Sequence, residues 1–212
     1  MENIKLVIFD LDGTLADAYR AIYGSFNYTM NKLHYPPRSE SLIRRSVGWG
    51  DENLLRPFVK ARDLDQALKI YRRHHKTALL KGSRLLPGVG KTLNYLKAKG
   101  LKLAVASNRP TAFSRIIIRC LGLKKYINYL LCADKLKKGK PDPEILNRIM
   151  DKYSVSRAQT VYVGDMFIDA EAGRRAGVKT AIVTTGSSTA QEIRKERPWR
   201  VIKKFDRLLK IL

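Results

Sequence analysis

The chain has 212 residues, 44% of them apolar, which is enough for one ordinary domain and a modest insertion around a packed core. No stretch approaches the ~20 apolar residues of a membrane span, and the N-terminus lacks a basic stretch followed by an apolar one and a cleavage site, so the expected address is the cytoplasm. Lysine and arginine outnumber aspartate and glutamate by 42 to 19, a formal net charge of +23. Residues 16–83 hold 13 of the basic and 6 of the acidic side chains, so the excess runs through the whole chain. A dedicated nucleic-acid face would instead gather a compact basic run with interleaved aromatics. A generally basic surface is therefore expected, without nucleic acid as partner, and its field should draw in anionic substrates and weaken with salt. Cys120 and Cys132 have no CxxC spacing and lie in apolar surroundings, the pattern of buried thiols.

In chain order, residues 4–9 (IKLVIF) form an almost unbroken apolar run, as in a strand buried on both faces of a parallel sheet. The run leads directly into Asp10-Leu11-Asp12-Gly13-Thr14-Leu15. Ligands of open α/β sheets bind beyond the carboxyl ends of the strands, so both carboxylates are delivered to such a site, and Gly13 permits a sharp turn after them. Two carboxylates one residue apart there suit a nucleophile and a proton donor acting on one substrate.

From residue 16 to 81 the strand-like runs vanish. Tyr19, Ile22, Tyr23, Phe26 and Met30, and then Leu64, Ala67, Leu68 and Tyr71, recur at helical spacing, while Pro36-Pro37 and Gly48-Trp49-Gly50 mark breaks. His74 and His75 are adjacent on a basic helix face and are expected to be exposed. Strand-helix alternation resumes after Leu86-Pro87-Gly88: a helix to residue 99, a strand at 101–106, a helix at 111–121 and a strand at 129–132. A helix at 144–153, a strand at 160–163, a helix at 168–176, a strand at 179–183, a short helix after Ser188 and an amphipathic end at 205–212 complete it. This rhythm predicts an α/β fold, a doubly wound parallel sheet with a helical insertion. The core would be residues 1–15 and 82–212, and the insertion residues 16–81. Pro87-Gly88-Val89-Gly90-Lys91-Thr92 ends like a phosphate loop, but Leu85 stands where that pattern needs glycine and no apolar strand precedes it.

Four segments together resemble the haloacid dehalogenase superfamily of phosphohydrolases. They are Asp10-Leu11-Asp12-Gly13-Thr14; Ser107-Asn108; Lys140 in Lys140-Pro141-Asp142-Pro143-Glu144; and Gly164-Asp165 with Asp169. Their order and spacing are similar to those of the phosphoglycolate phosphatase-like branch, whose helical cap is inserted after the first strand. The resemblance implies that Asp10 is the nucleophile, forming an aspartyl phosphate, and that Asp12 is the general acid and base. Lys140 would balance the charge. A Mg²⁺ ion would be held by Asp10, Asp165 and the backbone carbonyl of Asp12, with Asp169 behind them orienting ligands or holding Lys140. Mg²⁺ suits this because it takes one or two carboxylates along with substrate phosphate oxygens. Ser107, Asn108 and the N–H groups after Ser107 would bind phosphoryl oxygens at a helix start.

In the insertion, Arg44-Arg45-Ser46-Val47-Gly48-Trp49-Gly50 resembles the specificity loop of that branch. Gly48 would then approach the ligand, Trp49 would exclude water, and Arg45 would pair with a substrate carboxylate. Two departures stand out: relatives carry an aromatic residue where this chain has Thr184-Thr185-Gly186, and the insertion has no match to the β-phosphoglucomutase cap. The resemblance implies a Mg²⁺-dependent phosphatase of a small phosphorylated metabolite, with 2-phosphoglycolate first among the candidates, working as a monomer or homodimer away from membranes. The competing expectations are a pyrophosphatase, a nucleotide or sugar-phosphate phosphatase, a phosphomutase, and a basic nucleic-acid-binding protein on a hydrolase scaffold.

Overall fold

Residues 4–212 are described by a computed structural model. Strand β1 (Leu6–Phe9) is followed by the two-residue strand β2 (Ala16–Asp17) and by helices α1 (Tyr19–Lys32), α2 (Glu40–Ser46), α3 (Asp51–Leu55) and α4 (Leu64–Gly82). The chain then continues through β3 (Arg84–Leu85), α5 (Val89–Ala98), β4 (Lys102–Ser107), α6 (Thr111–Cys120), β5 (Tyr129–Cys132) and α7 (Glu144–Tyr153). The remaining elements are β6 (Thr160–Gly164), α8 (Phe167–Ala176), β7 (Lys179–Val183), α9 (Ala190–Lys195) and β8 (Arg200–Ile202), before a final 3₁₀ turn over Phe205–Lys210.

Six strands form one sheet in the order β5-β4-β1-β6-β7-β8, with every pair parallel. The doubly wound sheet expected from the alternation is therefore present. Strand β1 sits between β4 and β6, where the winding direction reverses, so its carboxyl end opens onto the crevice in which such sheets bind ligands. Period-two geometry divides its side chains between two cores. Val7 and Phe9 join Leu93, Val105, Phe113 and Val163 on one face, and Leu6 and Ile8 join Ile145, Ile149 and Tyr162 on the other. All four β1 side chains are fully buried, which is why the strand reads as a continuous apolar run.

The helices between β2 and β3 build a separate core from Tyr19, Ile22, Phe26, Met30, Ile43, Leu55, Ala67 and Tyr71. Each fully buried aliphatic or aromatic side chain there contributes roughly 1.5–3 kcal/mol. The chain leaves the sheet layer along β2 and returns along β3, which pair antiparallel through Ala16↔Leu85 and Asp17↔Arg84. This two-stranded neck was not legible as strand because each half has only two residues. Strand β8, three residues long with only Ile202 buried, was missed for a similar reason.

Two local expectations are corrected. His75 is fully buried, because it continues the inward stripe of α4 formed by Leu64, Ala67, Leu68, Tyr71 and Leu79. Cys120 is exposed, since the buried stripe of α6 runs through Phe113, Ser114, Ile117 and Ile118 and bypasses position 120; Cys132 is buried. No helix among the described residues is long and apolar enough to cross a membrane.

Candidate active site

The carboxyl ends of β1, β4 and β6 converge on one buried ammonium. Lys140 Nζ donates to Asp10 Oδ1 at 2.5 Å, Asp169 Oδ1 at 2.8 Å, the Tyr162 hydroxyl at 3.0 Å and the Ala106 carbonyl at 3.1 Å. Asp10 follows β1, Asp165 follows β6, and Asp169 lies in the first turn of α8. The backbone N–H groups of Asp165 and Met166 donate to Asp169 Oδ2, at 3.2 and 3.0 Å. Tyr162 donates to Asp169 Oδ1 at 2.6 Å. Both oxygens of Asp169 are thus occupied, which fixes it as the group that holds Lys140.

Asp165 is in the opposite condition. Thr14 donates to its Oδ1 at 2.8 Å, while Oδ2 is buried without a partner. The glycines around it are steric requirements: a Cβ at Gly13 would lie 2.2 Å from that Oδ2 and one at Gly186 would lie 2.1 Å from it. Oxygens of Asp10, Asp165 and Asp169 all lie within 4.8 Å of one another.

Three buried carboxylates facing one ammonium leave excess negative charge, and the proton affinities reflect it. Burial raises the Asp10 carboxyl to about 7, with Lys140 opposing and Asp169 adding to the rise. Burial, then the charges of Asp10 and Asp169, push Asp165 well above the ordinary carboxylate range. Burial would lower Lys140, but Asp10 and Asp169 outweigh it and hold the ammonium well above its usual value. Such a cluster fits a divalent cation, which would relieve the repulsion and give the unpartnered Asp165 oxygen a ligand role. The donor set is all oxygen, as hard cations prefer.

Beside this cluster lies a cavity of about 60 Å³, lined from the sheet side by Asp10, Asp12, Ser107, Arg109 and Lys140 and from the helical unit by Val47, Gly48, Asp51, Leu54 and Tyr71. Dispersed contacts tie the two sides together. Asn108 Nδ2 donates to the Gly48 and Lys140 carbonyls, both at 2.9 Å, and its Oδ1 accepts from the Lys140 N–H at 2.8 Å. Arg44 donates to the Thr185 carbonyl at 2.7 Å with its guanidinium 4.1 Å from the Tyr19 ring centroid.

A model of the family described as haloacid dehalogenase-like hydrolase matches residues 7–183. The chain belongs to the haloacid dehalogenase-like hydrolases. It is 32% identical over 195 residues to a phosphoglycolate phosphatase of Rhodospirillum rubrum, covering 87% of this chain and 81% of that one. It is 28% identical over 207 residues to a phosphoglycolate phosphatase of Aquifex aeolicus, covering 96% and 97% of the two chains. The crystal structure of a predicted phosphoglycolate phosphatase from Haemophilus somnus superposes with a TM-score of 0.95 at 27% identity, covering 100% of this chain and 99% of the other. Within the haloacid dehalogenase-like hydrolases the chain is phosphoglycolate phosphatase-like and is an enzyme of the phosphoric monoester hydrolase kind.

In this hydrolase, Asp10, Asp12, Ser107, Asn108, Lys140, Asp169 and Gly48 all line the cavity, and a carboxylate oxygen of Asp165 lies within 4.8 Å of one of Asp10. Arg45 and Trp49 do not. The Arg45 guanidinium is held by Glu192, at 2.7 and 3.1 Å, and by the Ser187 carbonyl at 2.6 Å, so it latches α2 to α9 with half its side chain in solvent. In this structure Arg45 therefore stands off the cavity that was expected to receive a substrate carboxylate: adjacent Arg44 and Arg45 both reach back to the segment after β7. Trp49 is 39% exposed, its ring 6.1 Å from that of Phe167. Asn108 is a clamp between the helical unit and the Lys140 segment.

Arg109 and Tyr162 were not singled out from sequence, Thr14 was named only as part of the first motif, and His75 was expected to be exposed. Arg109 forms a bidentate pair with Asp12, Nε to Oδ2 at 2.6 Å and Nη2 to Oδ1 at 2.9 Å. Its Nη1 lies 2.6 Å from His75 Nε2, and since arginine can only donate, that nitrogen accepts and His75 carries its proton on Nδ1, 3.0 Å from Ser25 Oγ. The position immediately after Ser107-Asn108 was a usable signal for Arg109. Tyr162 was hidden in an otherwise apolar strand.

Proposed function

We propose that the protein is a Mg²⁺-dependent phosphatase that hydrolyses a small phosphomonoester, 2-phosphoglycolate, through an aspartyl phosphate on Asp10. The observation that carries this reading is the convergence of Asp10, Lys140, Asp165 and Asp169 at the strand ends beside a small cavity. Asp10, with one oxygen held by Lys140, attacks phosphorus with the other while the bond to the bridging oxygen breaks. Asp12 delivers a proton to the leaving alkoxide and later takes one from the water that opens the acyl phosphate, regenerating Asp10 and releasing phosphate. Lys140 keeps the nucleophile oriented and offsets part of the charge brought in by the phosphoryl group. Ser107 and the Asn108 N–H receive phosphoryl oxygens, while the Arg109 N–H donates to Ser107 Oγ at 3.1 Å and holds that hydroxyl in place. Asp10 and Asp165, with the Asp12 carbonyl, would hold Mg²⁺, which when bound supplies charge neutralisation to the transferring phosphoryl group.

Residues 16–81 act in this reading as a cap over a core made of residues 82–212 and the N-terminal strand. The cavity of about 60 Å³ is closed from the helical side by Val47, Gly48, Leu54 and Tyr71. The names of the Rhodospirillum rubrum and Aquifex aeolicus relatives point to 2-phosphoglycolate over a nucleotide or sugar phosphate. Phosphate release over a panel of 2-phosphoglycolate, pyrophosphate, a nucleoside monophosphate and a hexose phosphate, with and without Mg²⁺, tests the proposal. Mg²⁺-dependent release with a clear preference for 2-phosphoglycolate is expected. A preference for a hexose phosphate or nucleotide would overturn the substrate, and activity retained in Asp10→Asn would overturn the mechanism.

A further inference from the structure

Two cations line the cavity, and only one has donors to spare. The three protons of Lys140 face four acceptors and none is left for a substrate. Arg109 has five N–H groups, and among the described residues three are engaged: two with Asp12 and one with His75. The guanidinium is held in place on three sides, because His75 is fixed through Ser25 and stacks on Tyr71 with ring centroids 4.7 Å apart. An oriented, nearly buried guanidinium with two free donors is suited to a carboxylate.

Its present partner is itself significant. Both oxygens of Asp12 are occupied by Arg109, so the side chain that is to reach the leaving oxygen is tied up. We propose that Arg109 binds the carboxylate of the substrate, and that this carboxylate replaces Asp12 on the guanidinium and frees Asp12 to serve as acid and base. The inference rests on the phosphoglycolate reading above and assigns to Arg109 the anion-binding role that Arg45 does not fill. The two free donors receive the incoming carboxylate first, so the guanidinium is never without an anion, and Asp12 once released carries the proton it is to deliver and is not left as an unpaired charge. A substrate lacking the carboxylate cannot make the exchange and meets a restrained Asp12. Selection would thus act on turnover as well as on binding.

The test compares 2-phosphoglycolate with ethyl phosphate, which has a methyl group in place of the carboxylate, at saturating Mg²⁺. The wild type should prefer 2-phosphoglycolate by more than roughly a hundredfold in kcat/KM. In Arg109→Met the ratio of the two kcat/KM values should fall by roughly 10- to 150-fold, through both kcat and KM for 2-phosphoglycolate. Arg109→Lys retains charge but no fork and should show an intermediate ratio, which provides the same readout if the methionine variant does not fold. If Arg109 only positions Asp12, both substrates lose the same factor and the ratio is unchanged. That outcome, in a wild type that discriminates, overturns the assignment of Arg109 and leaves the phosphoglycolate reading intact. A wild type that hydrolyses both esters equally well defeats that reading and the exchange with it.

Discussion

The floor and the roof of the cavity are built on different principles. The floor is polar and buried, and all but the Asp165 Oδ2 is tied by hydrogen bonds: Lys140, Tyr162 and Asp169 satisfy one another, and glycines at 13 and 186 leave room for nothing larger around Asp165. The roof presents Ile22, Val47, Leu54, Tyr71 and the backbone of Gly48, and is fastened at its rim by arginines that donate to backbone carbonyls and to Glu192. Reacting groups must be held rigidly to be effective, whereas the surface that admits substrate has to open. The comparison teaches that a motif residue in the floor can be assigned a part in the chemistry from its type and position. A charged residue in the roof cannot, because it is as readily a fastener as a ligand.

The largest expected difference between the two regions is in turnover. Asp10→Asn should lower kcat by several orders of magnitude while the thermal melting curve shows no loss of stability, because the substitution also removes one of the crowded buried charges. A kcat within tenfold of wild type would break the distinction between floor and roof at its strongest point.

Next comes the metal-binding half of the floor. Asp165→Asn removes a buried carboxylate whose Oδ2 has no partner, so in chelator it should melt higher than wild type by several degrees, on the order of 1–3 kcal/mol. Added Mg²⁺ should raise the melting temperature of the wild type and leave that of the variant nearly unmoved. Equal Mg²⁺ shifts in the two proteins would place the cation elsewhere.

The rim should respond more weakly. Arg45→Ala loses an exposed ion pair and one carbonyl contact, and should reduce kcat/KM by roughly twofold to fivefold, equally for 2-phosphoglycolate and for a phosphomonoester without a carboxylate. A loss confined to the carboxylate-bearing substrate would return Arg45 to the ligand.

No effect on turnover is needed to test His75, which joins roof to floor and should show itself in the pH dependence of stability. Burial, and after it the charge of Arg109, push its pKa from 6.5 down to about 2. Between those values the unfolded chain binds a proton that the folded one refuses, so the stability contributed by neutral His75 is complete above pH 6.5 and is lost as the pH falls. His75→Gln should flatten the decline of stability between pH 6 and pH 4 relative to wild type, by up to ~1.4 kcal/mol per pH unit. Identical slopes would show that His75 is protonated in the folded protein.

Much of the floor was legible in the amino-acid sequence. A run of apolar residues ending in Asp10, Asp12 or Asp165 announces a buried strand whose next residue meets the ligand crevice, and that inference needs only local pattern and the winding rule. Tyr162 escaped because a tyrosine inside such a run looks like packing, and its hydroxyl acquires meaning only when Lys140 and Asp169 arrive from distant segments. His75 could have been recognised as buried from the four-residue step after Tyr71.

By itself the sequence determined the order of the elements, the parallel sheet and the residues at its carboxyl ends, since these follow from side-chain periodicity and from glycine and proline, all of which act over a few residues. Only the tertiary structure decided which arginine faces the cavity. Arg44, Arg45 and Arg109 are alike in charge and reach, and each is committed by whichever acceptor the fold brings near: Thr185 carbonyl, Glu192 carboxylate or Asp12. All three acceptors are more than 90 residues away along the chain, a separation over which local pattern carries no information about contact.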